Sequence, residues 1–133
     1  MELLVDAMNV VGSRPDGWWR DREGAVRRLI ERLVALAAVD GDSIAVVVDG
    51  SPYESVPEGD DVGVTVVYAR ARGANAADDR IVAALERHED PAAVTVVTSD
   101  RALQVRVRAL GAEVVGAGAL LARIDGLGST RPR

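Results

Sequence analysis

Apolar, β-branched runs alternate along this chain with stretches of helical spacing. Residues 3–5 form a short apolar run that ends on Asp6. From residue 22 to 38 the apolar positions are Val26, Leu29, Ile30, Leu33, Leu36 and Ala37, with Arg27, Arg28, Glu31 and Arg32 between them. That spacing predicts a helix with one buried face. Asp40-Gly41-Asp42 reads as a turn into a second strand over 43–48, which stops at Asp49-Gly50. The polar stretch holding Pro52, Pro57, Gly59, Asp60 and Asp61 reads as a loop. A third strand is predicted over 63–68 and a helix over 76–87, closed by Asp90-Pro91. A fourth strand follows over 93–98 and ends at Ser99-Asp100. Residues 101–110 predict a helix stopped by Gly111, 113–115 a short fifth strand, and 119–124 a last helical turn.

Strands that are apolar on both faces and alternate with helices predict a mainly parallel sheet of four or five strands, covered on both sides. The expected fold class is therefore α/β, a three-layer α/β/α sandwich. At 133 residues the chain suits one domain, expected over 1–126, with 127–133 as a flexible tail.

Composition narrows the chemistry. The absence of cysteine removes disulfide frameworks, zinc-thiolate sites and thiol nucleophiles together. One histidine, His88, argues against a Ser-His-Asp triad or a multi-histidine metal site and reads as a solvated helix cap. Every one of the 16 cationic side chains is arginine, so Schiff-base or P-loop lysine chemistry is excluded. No apolar run reaches the ~18 residues of a membrane span. The start has an acidic second residue and no cationic region before its apolar stretch, so no secretory signal is expected, and a cytoplasmic location is. A formal net charge of -5 argues against a uniformly basic nucleic-acid coat, and it is compatible with clustered acids.

Three predicted strands end in a carboxylate, at Asp6, Asp49 and Asp100. In open parallel sheets the functional crevice lies outside the carboxyl ends of the strands, so these acids converge if their strands are neighbours. Each also suits a helix N-cap. Asp78 lies three, four and seven residues before Ile81, Val82 and Leu85, on the inward face of its helix. Asp79 points more outward and reads as a supporting or capping group. Gathered carboxylates repel one another unless a cation joins them, and oxygen-only ligands suit Mg²⁺ or Mn²⁺. Receiver-type sites need a lysine, and haloacid-dehalogenase-type sites need Asp-x-Asp where this chain has Asp6-Ala7-Met8. The dinucleotide-binding and P-loop glycine patterns are also absent. Arg70, Arg72, Arg80 and Arg101 are placed to clamp phosphates around such a rim. Trp18, Trp19 and Tyr53 offer rings for an unpaired base, with core packing as the competing role.

Four blocks in order, Asp6-Ala7-Met8-Asn9-Val10-Val11-Gly12, Val48-Asp49, Ala77-Asp78-Asp79-Arg80-Ile81 and Thr98-Ser99-Asp100, resemble the NYN domain. Within it they resemble the bacterial YacP-like branch of the PIN-like nuclease fold, across nearly the whole chain. The resemblance implies a metal-dependent endoribonuclease that cleaves single-stranded RNA, mRNA above all, by metal-activated water. It implies Asp6, Asp78 and Asp100 as ligands of Mg²⁺ or Mn²⁺, with Asp49 a further acid of the site. It also implies Asn9 as a partner of the substrate or of Asp6, with Ser99 and Asp79 supporting the acids. Asp79 stands where glutamate is common, which leaves open whether Asp78 or Asp79 binds metal. The chain is also shorter than many relatives. Two alternatives on the same fold are a catalytically weak adaptor docking on RNA or the ribosome, and a phosphohydrolase acting on small molecules.

Overall fold

The computed structural model describes residues 1–70 and 75–129. The chain runs β1 (Glu2–Asp6), α1 (Ala7–Val11), α2 (Arg22–Asp40), β2 (Ser43–Val48), β3 (Gly59–Asp61), β4 (Val64–Tyr68), α3 (Ala76–Arg87), β5 (Val94–Val97), α4 (Arg101–Ala109), β6 (Glu113–Val115) and α5 (Ala117–Ser129). Single 3-10 turns stand at Trp18–Arg20 and Pro91–Ala93.

The six strands form one sheet in the order β3-β4-β2-β1-β5-β6. Every pairing is parallel except that of β3 with β4. The sheet thus has one strand more than its apolar runs predict. β3 is the polar segment Gly59-Asp60-Asp61, read as loop from its composition, and it adds an antiparallel edge. Charged residues on an edge discourage pairing with another chain, which is why such a strand carries no apolar signature.

Alternation along the strands divides the core in two. Leu3 and Val5 point to the layer built by Val26, Leu29, Leu33 and Leu36 of α2 and by Leu120 and Ile124 of α5. Leu4, Val47 and Val96 point the other way, against Ile81 and Leu85 of α3 and Leu103 and Val107 of α4. The result is the three-layer sandwich expected of apolar parallel strands. Helix α5 is longer than the single turn predicted, because Leu120, Leu121 and Ile124 recur at helical spacing and are all buried. It continues to Ser129, into the segment expected to be tail, and residues 130–133 lie outside the described residues. Its Arg123 ties the sheet's opposite end together, reaching Asp40 Oδ2 at 2.5 Å and Asp42 Oδ2 at 2.7 Å. No helix among the described residues is long and apolar enough to cross a membrane.

Candidate active site

Strand parity decides which acids meet. Side chains two residues apart share a sheet face, so Asp6, Asp49 and Thr98 emerge on the side of Leu4, Val47 and Val96, facing the α3/α4 layer. β1 lies between β2 and β5, where the strand order reverses. A reversal of this kind opens a crevice beyond the strand ends. Val5 is level with Val97, so the next residues, Asp6 and Thr98, stand side by side. Helix α3 begins over the same crevice and contributes Asp78 from its first turn.

Thr98 is fully buried. Its hydroxyl donates to Asp6 Oδ2 at 3.1 Å and accepts the Asp100 N–H at 3.1 Å. One side chain therefore connects two of the acids. Asp100 in turn caps α4, its Oδ1 accepting the Leu103 N–H at 3.1 Å. The capping role and the rim position, which the sequence left as alternatives, coexist in this residue.

The electrostatics tie the acids further. Asp6 is only 6% exposed, and burial lifts its carboxyl pKa to about 6. The Thr98 hydroxyl opposes that rise, while the charges of Asp78 and Asp49 add to it. Asp78, also buried, is raised first by desolvation and then by Asp100, with Arg106 pulling the other way. Asp49 is raised by burial and lowered in part by Arg22 and the Ala77 N–H. The four acids thus share one negative crevice. Among the described residues, no three side chains of the His, Cys, Asp or Glu type stand close enough to cage a metal ion. The structure brings the acids to a common rim without closing a three-carboxylate cage.

The remaining expected residues fall into two groups. Asn9 Oδ1 accepts the Ser99 N–H at 2.8 Å, and Ser99 Oγ accepts the Ala117 N–H at 2.9 Å. These two side chains brace α1, the loop after β5 and the start of α5 against one another. Asp79 is exposed and pairs with Arg106 at 3.0 Å, so burial distinguishes it clearly from Asp78. Arg80 and Arg101 form no ion pair among the described residues. Arg70, by contrast, is ion-paired with Glu58, from a left-handed backbone position with φ 61°. Arg72 lies outside the described residues. His88 is the C-cap of α3, as expected, but it is half-buried and not simply solvated: its Nε2 meets Glu2 Oε2 at 2.9 Å, at the start of β1 and away from the rim.

Sequence reading gave Thr98, Arg22 and Arg106 no role at the site. Thr98 directly follows the apolar strand β5, where a hydroxyl has no periodic signature, although a polar residue just before Ser99-Asp100 was a signal. Arg22 opens α2, and a helix following a parallel strand starts near the strand's carboxyl end. That rule points to it. Thr98→Val should raise the Asp6 carboxyl pKa above about 6, because it deletes the group that opposes the rise. It should also destabilise the fold by about 1–3 kcal/mol by orphaning the Asp100 N–H. Carboxyl NMR titration and urea denaturation in EDTA read the two effects.

Comparison with known proteins bears on this arrangement. A family model described as the YacP-like NYN domain matches residues 3–130. Two crystal structures of Rae1 (YacP) from Bacillus subtilis share the fold at 24% identity. The first, a tryptophan-to-leucine mutant, gives a TM-score of 0.75 over 97% of this chain and 77% of that one. The second gives 0.71 over 97% and 76%. No curated protein sequence matches this chain.

Proposed function

Because the chain belongs to the YacP-like NYN domain family, we propose that it is a divalent-metal-dependent endoribonuclease acting on single-stranded RNA in the cytoplasm. The observation that carries this reading is the shared electrostatic field of Asp6, Asp49, Asp78 and Asp100 at the strand-order reversal. Buried carboxylates that raise one another's pKa are destabilising unless a cation compensates them.

The donor set fits Mg²⁺ or Mn²⁺. It is all oxygen, and Mg²⁺ is commonly held by one or two carboxylates with waters and substrate phosphate completing the shell, so a three-acid cage is not required. In this reading Asp6, Asp78 and Asp100 would hold the ion together, one or two of them directly and the rest through its waters. When bound, the ion supplies an activated water and neutralises charge on the phosphate. The protein's own groups prepare that position. Thr98 fixes the rotamer of Asp6, and the α4 cap fixes Asp100. Asp49 lines the crevice beside Arg22. Arg80 and Arg101 orient substrate phosphates, Arg22 joins them, and Arg70 contributes only if it leaves Glu58. Asn9 and Ser99 hold the rim rigid.

The test is cleavage of labelled single-stranded RNA in Mn²⁺, with EDTA and Asp100→Asn as controls. Activity should require the metal and disappear in the variant. Asp100→Asn should keep its thermal midpoint, since asparagine caps a helix about as well as aspartate. Saturable RNA binding with no turnover in Mn²⁺ would instead mark an RNA- or ribosome-docking adaptor, the reading that the open carboxylate geometry favours.

A further inference from the structure

The proposed chemistry makes no use of Trp18, one of the three rings that the sequence offers for an unpaired base. Trp18 lines a small cavity of about 130 Å³ with Val10 of α1, Arg14, Asp16, and Arg28 and Arg32 of α2. A space of that size takes one small group, such as a phosphate or a single ring, and no secondary-structure element, since a helix alone is about 10 Å across.

Three guanidinium groups meet at this cavity. Arg28 and Arg32 are one helical turn apart on the same face, where like charges repel. Arg14 and Arg32 share Asp125, at 2.6 Å to Oδ2 and 2.8 Å to Oδ1. Asp16 is the second acid at the cavity, and Arg28 has no ion pair among the described residues. Asp21 Oδ2 and Arg28 Nη1 lie 2.2 and 3.1 Å from the point a Cβ on Gly24 would occupy, so a third carboxylate flanks Arg28, although among the three guanidinium groups Arg28 alone is in no ion pair among the described residues. An anion relieves the repulsion, and the guanidinium fork matches phosphate.

Two residues relate the cavity to the acidic rim. Val10 belongs to the short helix that begins right after Asp6. Arg22 stands 5.5 Å over the Trp18 ring and is the cation that lowers the Asp49 pKa. The cavity lies in the layer of α1, α2 and α5, and Arg22, at the start of α2, is the cation that reaches both its Trp18 and the acidic crevice.

We propose that this cavity is a nucleotide subsite for the RNA strand: Arg28, with Arg14 and Arg32, grips a phosphate next to the one cleaved, and Trp18 stacks on its unpaired base. The proposal rests on the RNA-cleaving reading of the rim.

Fluorescence anisotropy of a labelled oligouridylate in EDTA, at several salt concentrations, tests binding apart from hydrolysis. Arg28→Ala should weaken binding about tenfold and flatten the dependence of log Kd on log salt by about 0.7. Trp18→Ala should weaken binding comparably, with the salt slope unchanged, because stacking involves no counterion release. Arg27→Ala, one residue away on α2 and outside the cavity, is the control for overall charge and should change little. In Mn²⁺, Arg28→Ala should raise KM with kcat within about twofold. Cleavage by the wild-type protein with KM unmoved by Arg28→Ala, or an equal loss in Arg27→Ala, overturns the subsite and leaves the nuclease standing. A wild-type protein that neither binds nor cleaves the oligonucleotide overturns the RNA reading, and the subsite with it.

Discussion

Asp6→Asn should make the metal-free protein more stable at pH 7.5 while abolishing RNA cleavage. Burial raises the folded-state pKa of Asp6 to about 6, against about 3.9 in an unfolded chain. The protonated form is therefore favoured by folding. Its contribution is fully present below about pH 4 and is lost as the pH rises through about 6. At pH 7.5 the ionised carboxylate costs about 3 kcal/mol, which a neutral amide of the same shape avoids. Urea denaturation in EDTA across this range should show the wild-type protein gaining stability as it is acidified from 7.5 to 5, with a shallower slope for Asp6→Asn. Equal slopes would mean that Asp6 is not the strained group. The activity arm is independent: in Mn²⁺ the same variant should fall to background. Greater stability together with lost function is what a functional acid held against its preference produces.

Asp78→Asn and Asp79→Asn should separate by more than about a hundredfold in cleavage rate. Loss of a group one shell removed from a metal already costs 10–100-fold, so loss of a ligand should exceed about 100-fold. Asp78 is 8% exposed and feels Asp100 and Asp49 directly. Asp79 turns outward to Arg106, and an exposed substitution of that kind should change the rate by about twofold or less. Steady-state kinetics on a single-stranded oligoribonucleotide at saturating Mn²⁺ gives the comparison. The opposite ranking would transfer the site role to Asp79 and require α3 to rotate on its axis.

Much of this arrangement is legible in the residues alone. Asp6, Asp49 and Asp100 terminate apolar parallel strands, and strands running the same way put their carboxyl ends on one rim, so their convergence follows from topology. Asp78 is found by counting along a helix to Ile81 and Leu85. Other features leave no such trace. Helix α1 has five residues, too few to establish a 3.6-residue period, and β3 consists of Gly59, Asp60 and Asp61 without an apolar position. Helix α5 contains Gly118 and Gly126, whose low helix propensity obscures the apolar spacing that tertiary packing enforces. The bond from Thr98 to Asp6 and the pairing of Arg70 with Glu58 join residues distant in sequence, and no local pattern encodes them. The spacing of the acids is of the same kind. Topology sends them to one crevice, while the distances within it depend on how α3 seats over the sheet.

The most direct measurement is the Mn²⁺ dependence of the thermal midpoint for the wild-type protein and for Asp6→Asn, Asp78→Asn and Asp79→Asn. A bound ion stabilises the folded state by about 2.7 kcal/mol at a hundredfold excess over its Kd. The wild-type and Asp79→Asn proteins should show a saturable rise with added Mn²⁺. Asp6→Asn should begin higher in EDTA and then fail to respond, and Asp78→Asn should also fail to respond. A wild-type midpoint indifferent to Mn²⁺, or a rise of the same size in all four proteins, would contradict a divalent-cation site built from these acids.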